Sequence, residues 1–110
     1  MSSIPNAAQS EYDAQNYDRA LELLRPLADS GNSEAQSMVG SIYHLGLGST
    51  EQNEAEAEKW YVLASKQGHG LASNNLATLV SHRDRQRATE LHQLAKTQSF
   101  LHTPNQSTSQ

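Results

Sequence analysis

The feature that most constrains this chain is that it repeats itself. Ala20–Gly31 (ALELLRPLADSG) and Ala57–Gly68 (AEKWYVLASKQG) share a frame at an offset of 37 residues. Ala20 falls on Ala57, Leu24 on Tyr61, Leu27 on Ala64 and Gly31 on Gly68. The offset continues into the next segment, where Ala35 falls on Ala72 and Gly40 on Ala77. A register kept through two successive segments marks a tandem repeat whose unit is about two helices long. Such a unit cannot bury its apolar face alone, so successive units must stack on one another. With 110 residues there is room for one domain of about three units.

The spacing of apolar residues supplies the helices. Ala20, Leu23, Leu24, Leu27 and Ala28 form one stripe between Asp18 and Ser30. Pro26 removes a backbone donor there and is expected to bend the helix near its end, with Gly31 as the stop. Ser33 with Gln36 reads as a capping box for a helix over 34–44 carrying Ala35, Met38, Val39, Ile42 and Tyr43. Gly46 and Gly48 end it. Ala57, Trp60, Tyr61 and Ala64 mark a helix over 54–67, with Trp60 as the main core anchor and Gly68 as the stop. A third pair is expected over 70–81 and 84–98, preceded by a short opening helix over 6–14 with Ala8 and Tyr12 facing inward. The expectation is an all-α, α/α superhelical solenoid of three antiparallel pairs. It makes a single domain over 1–98, with units at about 5–32, 33–69 and 70–98. Residues 99–110 are read as a polar, flexible tail.

Composition excludes several classes. There is no Cys, hence no disulfide scaffold, thiolate metal site or thiol nucleophile. The net charge of −4 argues against nucleic acid and anionic membranes as partners. No apolar run approaches the ~18 residues of a membrane span. The start MSSIPNAAQS is not a secretory signal. The expected compartment is the cytoplasm, or the periplasm for a chain from which a signal peptide has been removed. Apolar residues make up roughly 37% once Gly is counted and Tyr is not, against ~45–50% in ordinary domains. Helices packed through Ala, Leu and Tyr stripes need few large side chains.

The segment 35–68 resembles a Sel-one-like repeat. The residues that carry the resemblance are Ala35-Gln36, Val39-Gly40, Tyr43, Gly46-Leu47-Gly48, Ala57, Trp60-Tyr61, Ala64 and Gln67-Gly68. Residues 16–31 are similar to the second helix of a preceding unit, with a turn closer to the tetratricopeptide repeat. Residues 71–99 resemble a degenerate closing unit without the Tyr, the Gly-x-Gly turn or the final Gly. The resemblance implies an α/α superhelix that binds proteins or peptides as an adaptor, assembly factor or regulator. The lack of Cys sets the chain apart from the disulfide-stapled members of that family.

In such a stack the first helix of each pair lines the concave face. The positions left over from the core are Glu34, Ser37, Ser41 and His44 in the middle unit, and Leu71, Asn74, Thr78 and Ser81 in the third. The ordinary alternative is that these are solvated helix residues. Arg83, Arg85 and Arg87, with His82, form a basic cluster, either a solvated turn or an anchor for an acidic peptide. Glu51, Glu54, Glu56 and Glu58 form an acidic one, explained by the helix dipole.

Catalytic and cofactor chemistry is not expected. The five His residues make no i,i+3 or i,i+4 pair, so no metal site is read, and His92, matched to Tyr61, is expected to be partly buried in the core. Gly46-Leu47-Gly48 lacks the Lys-Ser/Thr of a phosphate loop. No nucleophile motif is present. The function expected is protein–protein interaction with no cofactor and no enzyme activity. The alternative is an immunity or inhibitor protein that blocks an enzyme. Val80, Leu91, Leu94 and Phe100 are flagged as a surface for the tail or for a homodimer contact.

Overall fold

The computed structural model describes residues 4–81 and 84–102, with the backbone alone over 99–102. Six helices follow one another: α1 (Asn6–Asp13), α2 (Tyr17–Asp29), α3 (Ser33–Leu45), α4 (Glu54–Lys66), α5 (Gly70–Val80) and α6 (Arg85–His102). Each packs on the next in sequence, and α3 also touches α5. The result is an α/α solenoid of three helical hairpins, 45 Å along its longest axis.

The ends of the helices follow from single residues. After α2, the Gly31 amide bonds to the Ala28 carbonyl and the Asn32 amide to that of Leu27. Gly68 and His69 repeat the arrangement on Ser65 and Ala64 after α4. Both are Schellman turns, and their glycines sit at φ of 106° and 89°, where a Cβ is unfavourable. The α3–α4 turn is built differently. Gly46 and Gly48 are both left-handed, and a Cβ on Gly48 would lie 2.6 Å from the Asp18 carboxylate. That carboxylate accepts from the Ser49 amide (2.8 Å) and hydroxyl (2.9 Å), tying the turn to the start of α2.

The cap of α3 differs from the expected one. Asn32, not Ser33, is the N-cap, and its Oδ1 accepts from the Ala35 amide at 2.8 Å. Gln36 takes no part in a capping box; its Nε2 reaches back to the Ala28 carbonyl at 3.1 Å. Asn53 caps α4 in the same way as Asn32 caps α3. Asn is as good an N-cap as Ser, and here it also begins the turn.

Two apolar clusters form the core. The first joins α1, α2 and α3 to Trp60 through Ala20, Leu24, Ala28, Val39 and Ile42. The second joins α4 and α5 to Ala88 through Tyr61, Ala64, Leu76, Leu79 and Val80. Trp60 is the expected anchor, with the cations of Arg25 and Lys59 5.9 and 5.2 Å from its ring. Gly40 admits the buried Tyr61 ring: a Cβ there would lie 2.7 Å from two ring carbons.

Polar residues also enter the core. Gln36, Ser65, Ser73 and Gln98 are buried. Ser65 and Ser73 hydroxyls meet at 2.6 Å, Ser73 donates to Gln98 Oε1, and Gln98 Nε2 donates to the Ser65 carbonyl. The helices approach closely through Ala and Ser, and a small hydroxyl fits where a larger side chain would hold them apart.

Three expectations for the last unit change. His92 is exposed and bonds Asn74 Oδ1 through Nδ1 at 2.8 Å, because no described helix packs over α6 as α5 packs over α4. The last helix runs on to His102, past the expected end at 98, since nothing before Pro104 interrupts it. The remainder of the expected tail, 103–110, lies outside the described residues. Val80 is buried and Leu91 is half-buried against the second cluster, while Leu94 is 40% exposed. The side chain of Phe100 lies outside the described residues.

Candidate functional site

The first helices of the three pairs meet at one open depression of about 240 Å3. Gln9 and Tyr12 come from α1, Glu34, Ser37, Met38 and Ser41 from α3, and His69 and Leu71 from the start of α5. Helical spacing explains the set. Positions 34, 37, 38 and 41 share one face of α3, opposite the Ala35–Val39–Ile42 stripe that faces the core.

The floor is polar and partly ordered. Ser41 Oγ lies 3.1 Å from the Tyr61 hydroxyl and also hydrogen-bonds Tyr12. His44 Nδ1 lies 3.2 Å from the same Tyr61 hydroxyl, and its ring stands edge-on to Tyr61 at 5.8 Å. Burial pushes the Tyr12 and Tyr61 phenols above their ordinary range, against the opposing pull of the Ser41 hydrogen bond. Both stay neutral donors and acceptors near pH 7. Ser37 is only 3% exposed, while the one buried side-chain polar atom without a hydrogen-bond partner among the described residues is Trp60 Nε1. The walls are apolar: Met38, the Tyr12 ring, and Leu71, which is 60% exposed.

Of the expected groove residues, Glu34, Ser37, Ser41 and Leu71 come together here. His44 joins them only through Tyr61. The other three lie along α5 outside the depression. Asn74 is engaged by His92, while the Thr78 and Ser81 hydroxyls donate back to the Asn74 and Thr78 carbonyls. Hydroxyls in a helix often satisfy themselves this way, a habit that counting positions overlooks. Gln9, Tyr12, Met38 and His69 were missed. Tyr12 had been assigned to the core alone, although α1 stands in the same row as α3 and α5.

The basic cluster divides. Arg83 and His82 lie outside the described residues. Arg85 is exposed. Arg87 is half-buried and bonds Glu58 at 3.1 Å, joining α6 to α4 across 29 residues. Asp84 caps the turn by accepting from the Arg87 amide. One member of the acidic set therefore pairs with one member of the basic set. Glu56 pairs with Lys59 at 3.4 Å.

Among the described residues no group of three or more His, Asp or Glu side chains converges as a metal site. No helix among them is long and apolar enough to cross a membrane. Compared with known families, the chain matches the Sel1 repeat over residues 11–32 and 33–69, together just over half of its length. No curated protein and no solved structure matches it.

Proposed function

The chain belongs to the Sel1 repeat family, and from that premise we propose that it is an interaction module that takes a peptide or protein segment into the depression between α1, α3 and α5. Arrays of this family generally act in protein–protein interaction, as scaffolds rather than catalysts. The observation that carries the finer reading is the convergence of three equivalent helices on one open, half-apolar, half-polar recess. Leu71 stands exposed at its edge, and hydroxyls at its floor can pair with a peptide backbone. A single domain, now extended to the end of α6 at His102, and a cytoplasmic setting belong to the same proposal, the setting resting on the sequence pattern.

A random-peptide display selection on the folded full chain tests this. The amide signals of the labelled protein are then followed as a selected peptide is added. Shifts centred on α1, α3 and the start of α5 are expected, and Leu71→Asp should weaken binding about tenfold, a loss of about 1.4 kcal/mol. Shifts confined to α2, α4 and α6 would sink the assignment.

A further inference from the structure

The basic residues of the described helices are sorted by helix, whereas the acidic ones lie on helices of both kinds. Every Lys and Arg on a described helix sits on a second helix of a pair: Arg19 and Arg25 on α2, Lys59 and Lys66 on α4, and Arg85, Arg87 and Lys96 on α6. The helices that build the recess, α1, α3 and α5, carry neither Lys nor Arg. They carry Glu11, Asp13 and Glu34 instead. The sorting is independent of the repeat motif, whose recurring residues are Ala, Gly, Leu and Tyr.

The recess lining likewise contains no Lys or Arg, and its ionisable groups besides Tyr12 are Glu34 and His69. Glu34 supplies a carboxylate, Ser37 and Ser41 supply hydroxyl oxygens, and the Tyr12 ring and Met38 supply walls that suit an alkyl stem. Ser37 is a largely buried residue on the recess wall, and its hydroxyl oxygen can accept a hydrogen bond from an incoming donor. A Lys or Arg side chain would place its stem against Met38, Tyr12 and Leu71 and its head among these acceptors.

Building on the interaction reading above, we propose that the recess is selective for a basic partner segment, with one Lys or Arg side chain as its anchor. One feature opposes it. The start of α5 has neither a side-chain cap nor an acidic residue in its first turn, which by itself favours an anion. An acidic segment is therefore the informative competitor.

The test uses the peptides selected on the full chain. The expected result is enrichment of Lys or Arg at one position, weakening about tenfold when that residue becomes Ala, and a similar loss with Glu34→Gln protein. Affinity should also fall as salt rises from about 0.05 to 0.5 M. A thermal melt checks that Glu34→Gln keeps its fold, and Ser37→Ala provides a second, uncharged probe of the same recess. Peptides that are lost with Leu71→Asp yet are enriched in Asp or Glu, or show no charge preference, overturn the selectivity and leave the recess standing as the site. Peptides indifferent to Leu71→Asp, or no selected peptide at all, overturn the site and the selectivity together.

Discussion

The junction between the second helix of one pair and the next pair occurs twice, and the two are built differently. At the first, Gln67 Nε2 donates to Gln36 Oε1 (2.9 Å) and Gln36 Nε2 donates to the Ala28 carbonyl. At the second, Ser73 donates to Gln98 Oε1 and Gln98 Nε2 donates to the Ser65 carbonyl. Ala28 and Ser65 are 37 residues apart, as are Gln36 and Ser73. The same carbonyl position is thus satisfied by a Gln amide in both places, from the following helix in one and from the end of the chain's last helix in the other. Around these locks the packing also differs. Within the second pair the Tyr61 ring presses on Gly40. The third pair has Ala77 at the matching place, and its own counterpart to Tyr61, His92, lies outside on the surface. A repeat therefore keeps its register by preserving the carbonyl partner and the helix spacing, while the residues that deliver them change.

The largest test of that difference is Gly40→Ala. Its Cβ would meet a ring that is 1% exposed and held by Ser41 and His44, so helix propensity should be overridden and stability should fall by about 1–3 kcal/mol in urea denaturation. Ala77→Gly, the reverse exchange at the matching place, should cost only about 1 kcal/mol. Equal losses would mean that the second and third pairs tolerate volume alike.

Next in size are the polar locks. Gln98→Ala removes the acceptor of the buried Ser73 hydroxyl and a second donor to the Ser65 carbonyl, leaving the two serine hydroxyls only each other, and should cost about 1–3 kcal/mol. Gln67→Ala removes an exposed donor and should cost about 0.5–1 kcal/mol. A triple change of Ser65→Ala, Ser73→Ala and Gln98→Leu should recover most of the first loss, because no polar group is then left unmade. If it does not, the second junction depends on shape rather than on its hydrogen bonds.

The smallest expected effect is a pH dependence confined to the first region. The Ser49 amide and hydroxyl hold the Asp18 carboxyl below its usual range. A carboxyl whose folded pKa is depressed stabilises above its unfolded pKa, and that contribution is lost as the pH falls through the folded value. Melting temperatures of the wild type and of Asp18→Asn should therefore differ near neutrality and converge as the pH falls through the folded value. A constant gap down to acid pH would show that the Ser49 contact acts through its geometry alone.

The fold was largely legible because its punctuation is glycine and its stripes are periodic. Gly31, Gly46, Gly48 and Gly68 all stand at positive φ at helix ends, and the apolar stripes named Ala20, Leu24, Ala35, Val39, Ala57 and Tyr61 as core. Polar residues resisted reading. Nothing in the local pattern separates buried Ser37, Ser73 and Gln98 from solvated helix positions, since their burial depends on how close the neighbouring helix comes. Long-range pairs were equally hidden: Arg87 finds Glu58, and Asp18 finds Ser49, only once the hairpins stack. The recess was half found. Periodicity gives its α3 wall and Leu71, but from the opening helix it gives only inward-facing Ala8 and Tyr12, and Gln9 and Tyr12 line the recess only once α1 stands beside α3.

Because each described helix packs on its chain neighbours, with α3 and α5 as a further contact, there is among the described residues no closing partnership between α1 and α6. Melting can then begin at either terminus and travel inward like a zipper, and a helical hairpin could be spliced in at a Schellman turn without any distant surface having to adapt.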